Sequence, residues 1–218
     1  MLNFAYCSDK YQYTMGKSFY DSGMKDQHAV FNLFYRKAPE NNNWAVVSGT
    51  DEVIEMIGNL GNMDPVFFEK FLPGEEYAEY RGYLSSMKFT GTVYAMREGE
   101  IAFPNQPIII VEGPLIEAQV LETPMLCIMN HQMAVATKAS RVCRATNRPV
   151  SEFGSRRAHG PWAATYGAKA AIIAGCIGAG LFSFFSTILD VEILRKGFGF
   201  ILLAAGLREL FYRPRKFR

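Results

Sequence analysis

The eleven residues Val150-Ser-Glu-Phe-Gly-Ser-Arg-Arg-Ala-His-Gly160 constrain this chain's fold more than any other stretch. A short apolar run ends at Phe153 and Gly154, and two arginines follow where a strand would hand over to a loop and a helix. In parallel α/β proteins the carboxyl end of a strand is where ligands sit. Placed there, Arg156 and Arg157 could present planar forks to phosphate or carboxylate, and Phe153 an aromatic face. The same letters fit a strand followed by two solvated arginines, so this segment alone leaves both readings open.

With 218 residues the chain can bury one sizeable core or two small ones, and 49% hydrophobic with 20% charged residues is an ordinary globular composition. The net charge of +2 is unevenly spread: residues 181–218 hold seven Lys and Arg against three Asp and Glu, leaving residues 1–180 slightly acidic. That body is not a polyanion-coating surface, which argues against a nucleic-acid partner. Cys7, Cys127, Cys143 and Cys176 lie far apart with no paired spacing. They predict buried thiols in a reduced, cytoplasmic protein rather than a disulfide framework or a zinc site. Asp9 and Lys10 occupy the place of a signal peptide's apolar core, so secretion is not expected.

Along the chain, residues 8–22 predict a helix capped by Ser8 or Asp9, with Tyr11, Met15 and Phe19 spaced as a stripe that more often faces a core than a ligand. Residues 29–36 have strand composition and close on Arg36, before a polar loop at Pro39 to Asn43. Short helices follow, one capped by Thr50 and one by Asp64 with Pro65 at its first position, and a third near Glu75–Met87 carries Tyr77, Tyr80 and Leu84 on one face. Thr92–Ala95 and Pro107–Val111 predict strands. Leu115 to about Thr146 reads as helical with a break expected at Thr123-Pro124, because proline has no amide to donate. His131, alone on that apolar helix, predicts a satisfied structural group. A strand at Pro149–Phe153, a helix over 161–173 and a buried strand at Ile172–Gly178 would begin a parallel sheet or barrel.

Several strings, in order, resemble the nicotinate phosphoribosyltransferase family. They are Ser-Asp-Lys-Tyr-Gln-Tyr-Thr-Met at 8–15, Phe34-Tyr-Arg-Lys37, Gly113-Pro-Leu-Ile-Glu-Ala-Gln119 with Leu121-Glu-Thr123, Asn130-His-Gln132 with Ala136-Thr-Lys-Ala139, and Glu152-Phe-Gly-Ser-Arg-Arg-Ala158. The resemblance covers residues 8 to about 179. It implies an α/β protein, with an N-terminal α/β domain over 1–113 followed at 114–179 by the first strands of an irregular (β/α) barrel, truncated before a non-family tail at 180–218.

The resemblance also implies an activity: nicotinate and 5-phosphoribosyl pyrophosphate give nicotinate mononucleotide and pyrophosphate, with ATP as co-substrate and magnesium as cofactor, in a homodimer. Displacing pyrophosphate at the anomeric carbon passes through a cation-like sugar, so cationic clamps for the departing phosphates fit the chemistry. By resemblance Phe153 stacks on the pyridine ring, and Arg156, with Arg157, binds phosphate or the nicotinate carboxylate. Tyr11, with Asp9 beside it, and Arg36 would come from the partner subunit, Tyr11 to the other ring face and Arg36 to phosphates. An aromatic group on each side suits a flat, electron-poor base.

The family's Gly-Thr-x-Ala-His-Ser segment, whose histidine ATP phosphorylates, and its Asp-Ser-Gly-Asp segment do not occur here, so no catalytic residue is assigned and no metal ligand is expected. The chain purified by itself is therefore expected to lack activity. The apolar run Ala170–Leu189, with Gly197–Leu207, supports a second reading as a membrane anchor, which the family match over its first part and its Gly, Ser and Thr content argue against. A third is a non-catalytic chain that dimerises with an intact copy.

Overall fold

The computed structural model describes residues 7–37, 43–62, 64–146 and 150–178. The chain divides after Gly178 into two compact units, and these residues all belong to the first. The tail beyond Gly180 and most of the polar loop at Pro39 lie outside the described residues.

Helix α1 spans Lys10–Asp21 behind Asp9, and its buried face is Gln12, Tyr13 and Gly16. Tyr11 and Met15 therefore turn outward, half exposed, while Phe19 packs against the core. The stripe is not the core face of this helix. Strand β1 (His28–Leu33) pairs antiparallel with β5 (Ile109–Pro114), which pairs antiparallel on its other edge with β3 (Thr92–Ala95). A second small sheet joins β2 (Ala45–Val46) to β4 (Ile101–Ala102). The alternating burial of β5 puts Ile109 and Val111 into the core and lets Ile110 and Glu112 lean outward, as the two-residue period requires. Gly91 is needed where the chain enters β3, because a β-carbon there would collide with the Glu112 carbonyl.

Helix α2 is Thr50–Gly58, and its cap differs from the expectation. Gly49, at φ 107°, is the capping residue. The Glu98 carboxylate accepts from the Gly49 amide at 3.0 Å and the Asp51 amide at 3.4 Å, doing what the Thr50 hydroxyl was expected to do. Helix α3 (Pro65–Phe71) has the expected cap, with the Asp64 carboxylate accepting from the Val66 amide at 3.0 Å. Helix α4 (Ala78–Ser86) follows a turn at Glu75–Tyr77 and buries Tyr80 and Leu84 completely.

The longest element, α5 (Leu115–Arg144), runs straight through Pro124. The expected break does not form. Pro124 removes one amide, but the helix buries residues on both sides of it, from Ile116 to Leu121 and from Met125 to Met133, and that packing outweighs one lost hydrogen bond.

Two further expectations fail near the end of the unit. Residues 151–153 are exposed and form no strand, because apolar letters permit a strand but only a neighbouring ladder makes one. Residues 172–178 belong instead to helix α6 (Pro161–Gly178). Its alanine-rich sequence favours a helix, and Ala170 and Ala174, one turn apart, bury against Val46 and Ala136. The mixed α/β class stands, neither sheet closes, and every strand pair among the described residues is antiparallel.

Candidate functional site

Tyr11 sits in the first turn of α1, 51% exposed, with Asp9 exposed beside it at the N-cap position, where its side chain makes no capping hydrogen bond. Its backing is polar. The Gln12 side-chain amide donates to the Tyr11 hydroxyl at 2.9 Å and to the Glu122 carboxylate at 3.0 Å, and the Gln119 amide donates to the Gln12 carbonyl oxygen. Gln12 is fully buried, so this network fixes α1 to α5 without leaving its amide unpaired. It also explains two of the sequence strings: Tyr11-Gln12 from α1 meets Gln119 and Glu122 from α5.

Arg36 lies just beyond β1, exposed. The residue before it anchors the strand end. The Tyr35 carbonyl accepts from the Asn105 amide at 2.7 Å, and the Tyr35 hydroxyl donates to the Asn130 carbonyl of α5 at 3.4 Å. Burial pushes the Tyr35 phenol up to about 12.

Phe153, Arg156 and Arg157 sit together on one short helical turn, Gly154–Arg157, which the Glu152 carboxylate closes by accepting from the Gly154 amide. Phe153 is 74% exposed and both arginines are exposed. No hydrogen bond or ion pair engages either guanidinium among the described residues. An aromatic face and two free forks on a turn leading into a helix can receive a flat, anionic ligand. The sequence placed this trio at a strand end; the structure keeps the trio and replaces the strand. Among the described residues no hydrogen bond or ion pair joins this turn to Tyr11 or to Arg36.

His131 is half-buried and its Nε2 donates to the Ala163 carbonyl at 3.2 Å, joining α5 to α6. It is the structural group expected. Cys7, Cys127 and Cys143 are free thiols, but Cys127 is exposed and the other two half-buried, so the expected full burial does not hold; Cys127 falls on the solvent side of α5. Burial, helped by the neighbouring Cys127, raises the Cys7 thiol above its ordinary value.

Lys169 was missed by the sequence reading. It is the single charge in α6, and its ammonium meets Glu52 at 2.7 Å, Glu98 at 3.1 Å and Asp51 at 3.7 Å. Burial works against the charged form, but hydrogen bonds and attraction from Glu52 and Glu98 outweigh it and hold the ammonium above its ordinary value. A lone lysine in an otherwise uncharged helix was the signal available. Among the described residues no group of three or more His, Cys, Asp or Glu is arranged to hold a metal ion, and no helix is long and apolar enough to cross a membrane.

Residues 7–130 match the nicotinate phosphoribosyltransferase N-terminal domain, and the chain belongs to that family. Among its relatives, the nicotinate phosphoribosyltransferase of Bacillus subtilis is 40% identical over 171 residues, 77% of this chain and 34% of that protein. That of Dictyostelium discoideum is 35% identical over 176 residues, 78% of this chain and 30% of that protein. The crystal structure of human nicotinic acid phosphoribosyltransferase superimposes with a TM-score of 0.69 at 30% identity, covering 78% of this chain and 35% of the human one. The chain thus spans about a third of the length of the relatives it matches.

Proposed function

We propose that this chain carries base- and phosphate-binding residues of a nicotinate phosphoribosyltransferase, joining nicotinate to 5-phosphoribosyl pyrophosphate in an ATP-coupled reaction of NAD salvage. One observation carries the reading: in a chain of this family, Phe153, Arg156 and Arg157 are presented together, exposed and unengaged, at a short turn that leads into α6. Phe153 stacks on the pyridine ring, and Arg156 and Arg157 take the carboxylate or phosphate oxygens. As the bond to the anomeric carbon breaks, negative charge gathers on the departing pyrophosphate, and a guanidinium fork facing it stabilises that charge.

Tyr11, with Asp9, and Arg36 complete the site from a second protomer of a homodimer, Tyr11 covering the other ring face and Arg36 meeting phosphates. The described residues offer no carboxylate cluster for magnesium, so no step is assigned to the metal, and none is assigned to ATP. The three described cysteine side chains are free thiols, which favours a reducing compartment such as the cytoplasm.

Titration calorimetry with nicotinate and with 5-phosphoribosyl pyrophosphate tests the reading. Wild-type chain binds both; Arg156→Ala weakens at least one by about tenfold, the scale of a lost charge-assisted hydrogen bond. Mixing Tyr11→Ala with Phe153→Ala chains restores nicotinate binding at the intact composite sites. Failure of the wild-type chain to bind either ligand overturns the proposal.

A further inference from the structure

The polar network behind Tyr11 does more than anchor a helix. A carboxylate can only accept hydrogen bonds, so the Gln12 atom 3.0 Å from Glu122 must be the amide nitrogen. The opposite end of that amide is then its oxygen, which accepts from the Gln119 nitrogen, so the Glu122 contact orients both glutamines. The Gln12 group 2.9 Å from the Tyr11 hydroxyl is therefore an N–H, and the phenolic oxygen is the acceptor. With its oxygen engaged from the protein side, the hydroxyl keeps one directed group for a ligand, its O–H proton, and Tyr11 is 51% exposed and able to offer it.

We infer that Gln12, held by Glu122 and Gln119, is a positioning residue that sets Tyr11 to donate a hydrogen bond to an anionic ligand oxygen, and so selects for acid groups on the bound substrate. The inference rests on the function proposed above and adds a specificity role for residues whose side chains do not touch the ligand. The oxygen acceptor is a pyridine carboxylate or a phosphate, since both present acceptors only. A ligand offering only N–H at that point leaves the Tyr11 proton unanswered, which a polar site penalises more than a missing contact.

The test measures dissociation constants of the full chain for nicotinate, unsubstituted pyridine and inorganic pyrophosphate, with Tyr11→Phe, Gln12→Met, the double variant and Glu122→Gln, folding being checked by circular dichroism. Tyr11→Phe keeps the ring and removes the proton; it is expected to weaken nicotinate or pyrophosphate about tenfold and leave pyridine unchanged. Whichever anion loses affinity identifies the acceptor. Gln12→Met is expected to give the same loss, and the double variant no further loss, because Gln12 acts only through that hydroxyl. Glu122→Gln, close in size, removes the acceptor-only constraint and keeps the test available if Gln12→Met does not fold; part of the same loss is expected. Equal binding of both anions by wild type and Tyr11→Phe, or additive losses that include pyridine, overturns the inference and leaves the proposed function standing. Binding of neither anion by wild type overturns both.

Discussion

Gly16 shows how one residue can be set by its neighbour. It lies on the buried face of α1, and a β-carbon there would collide with the hydroxyl of Tyr80, a fully buried ring that cannot swing aside. That hydroxyl has no hydrogen-bond partner among the described residues. Gly16→Ala is therefore expected to destabilise the chain by about 1–3 kcal/mol through overpacking, despite alanine's better helix propensity. Tyr80→Phe alone should be neutral or slightly stabilising, and Gly16→Ala with Tyr80→Phe should recover most of the loss. Urea unfolding of the three variants measures this; additive behaviour would show that the two positions do not share the contact.

At the scale of elements, α6 matters because the Phe153 turn leads directly into it. Besides the packing of Ala170 and Ala174, the bond from His131 to the Ala163 carbonyl and the contacts of Lys169 with Glu52 and Glu98 hold it, and the latter also join it to the start of α2. Lys169→Met leaves both largely buried carboxylates without their cation. Loss of a fully buried pair costs about 3–5 kcal/mol, and Lys169 is a third exposed, so about 1–3 kcal/mol is expected. Because folding raises the Lys169 value, its contribution is complete below the ordinary 10.5 and disappears as pH rises through the folded value. The gap in melting temperature between wild type and Lys169→Met should stay constant from neutral pH to about 10 and narrow above it. A gap insensitive to alkaline pH would assign the loss to packing.

For the whole molecule, the tyrosines of the core set the alkaline limit of stability. Tyr13 meets Phe68 and Phe71 edge-on at 5.4 and 5.7 Å, and burial raises its phenol, that of Tyr80 and, to about 12, those of Tyr35 and Tyr83. A raised phenol supports the fold below 10 and loses that support as pH climbs through the folded value. Ultraviolet titration should therefore show these buried tyrosines ionising only well above 10 and together with cooperative unfolding. A single transition near 10 for all of them would contradict this core.

Much of this protein was legible in its letters. Thr92–Ala95 forms the expected strand, Asp64 and Pro65 the expected helix start, and Tyr80 with Leu84 the expected buried face. These features depend on periodicity and local hydrogen bonding, which are properties of adjacent residues. The grouping of Phe153, Arg156 and Arg157 was equally legible, because they are neighbours in the chain. The sequence could not decide features that need a partner from elsewhere. Residues 151–153 lack a ladder to join, Pro124 is carried by packing along α5, and alanines in α6 find Val46 and Ala136. Tertiary structure also turned Tyr11 outward and placed Gln12 between it and Glu122, 110 residues away from Gln12 in the chain. Local propensities are worth tenths of a kcal/mol per residue and burial several times more, so wherever the two disagreed, burial decided.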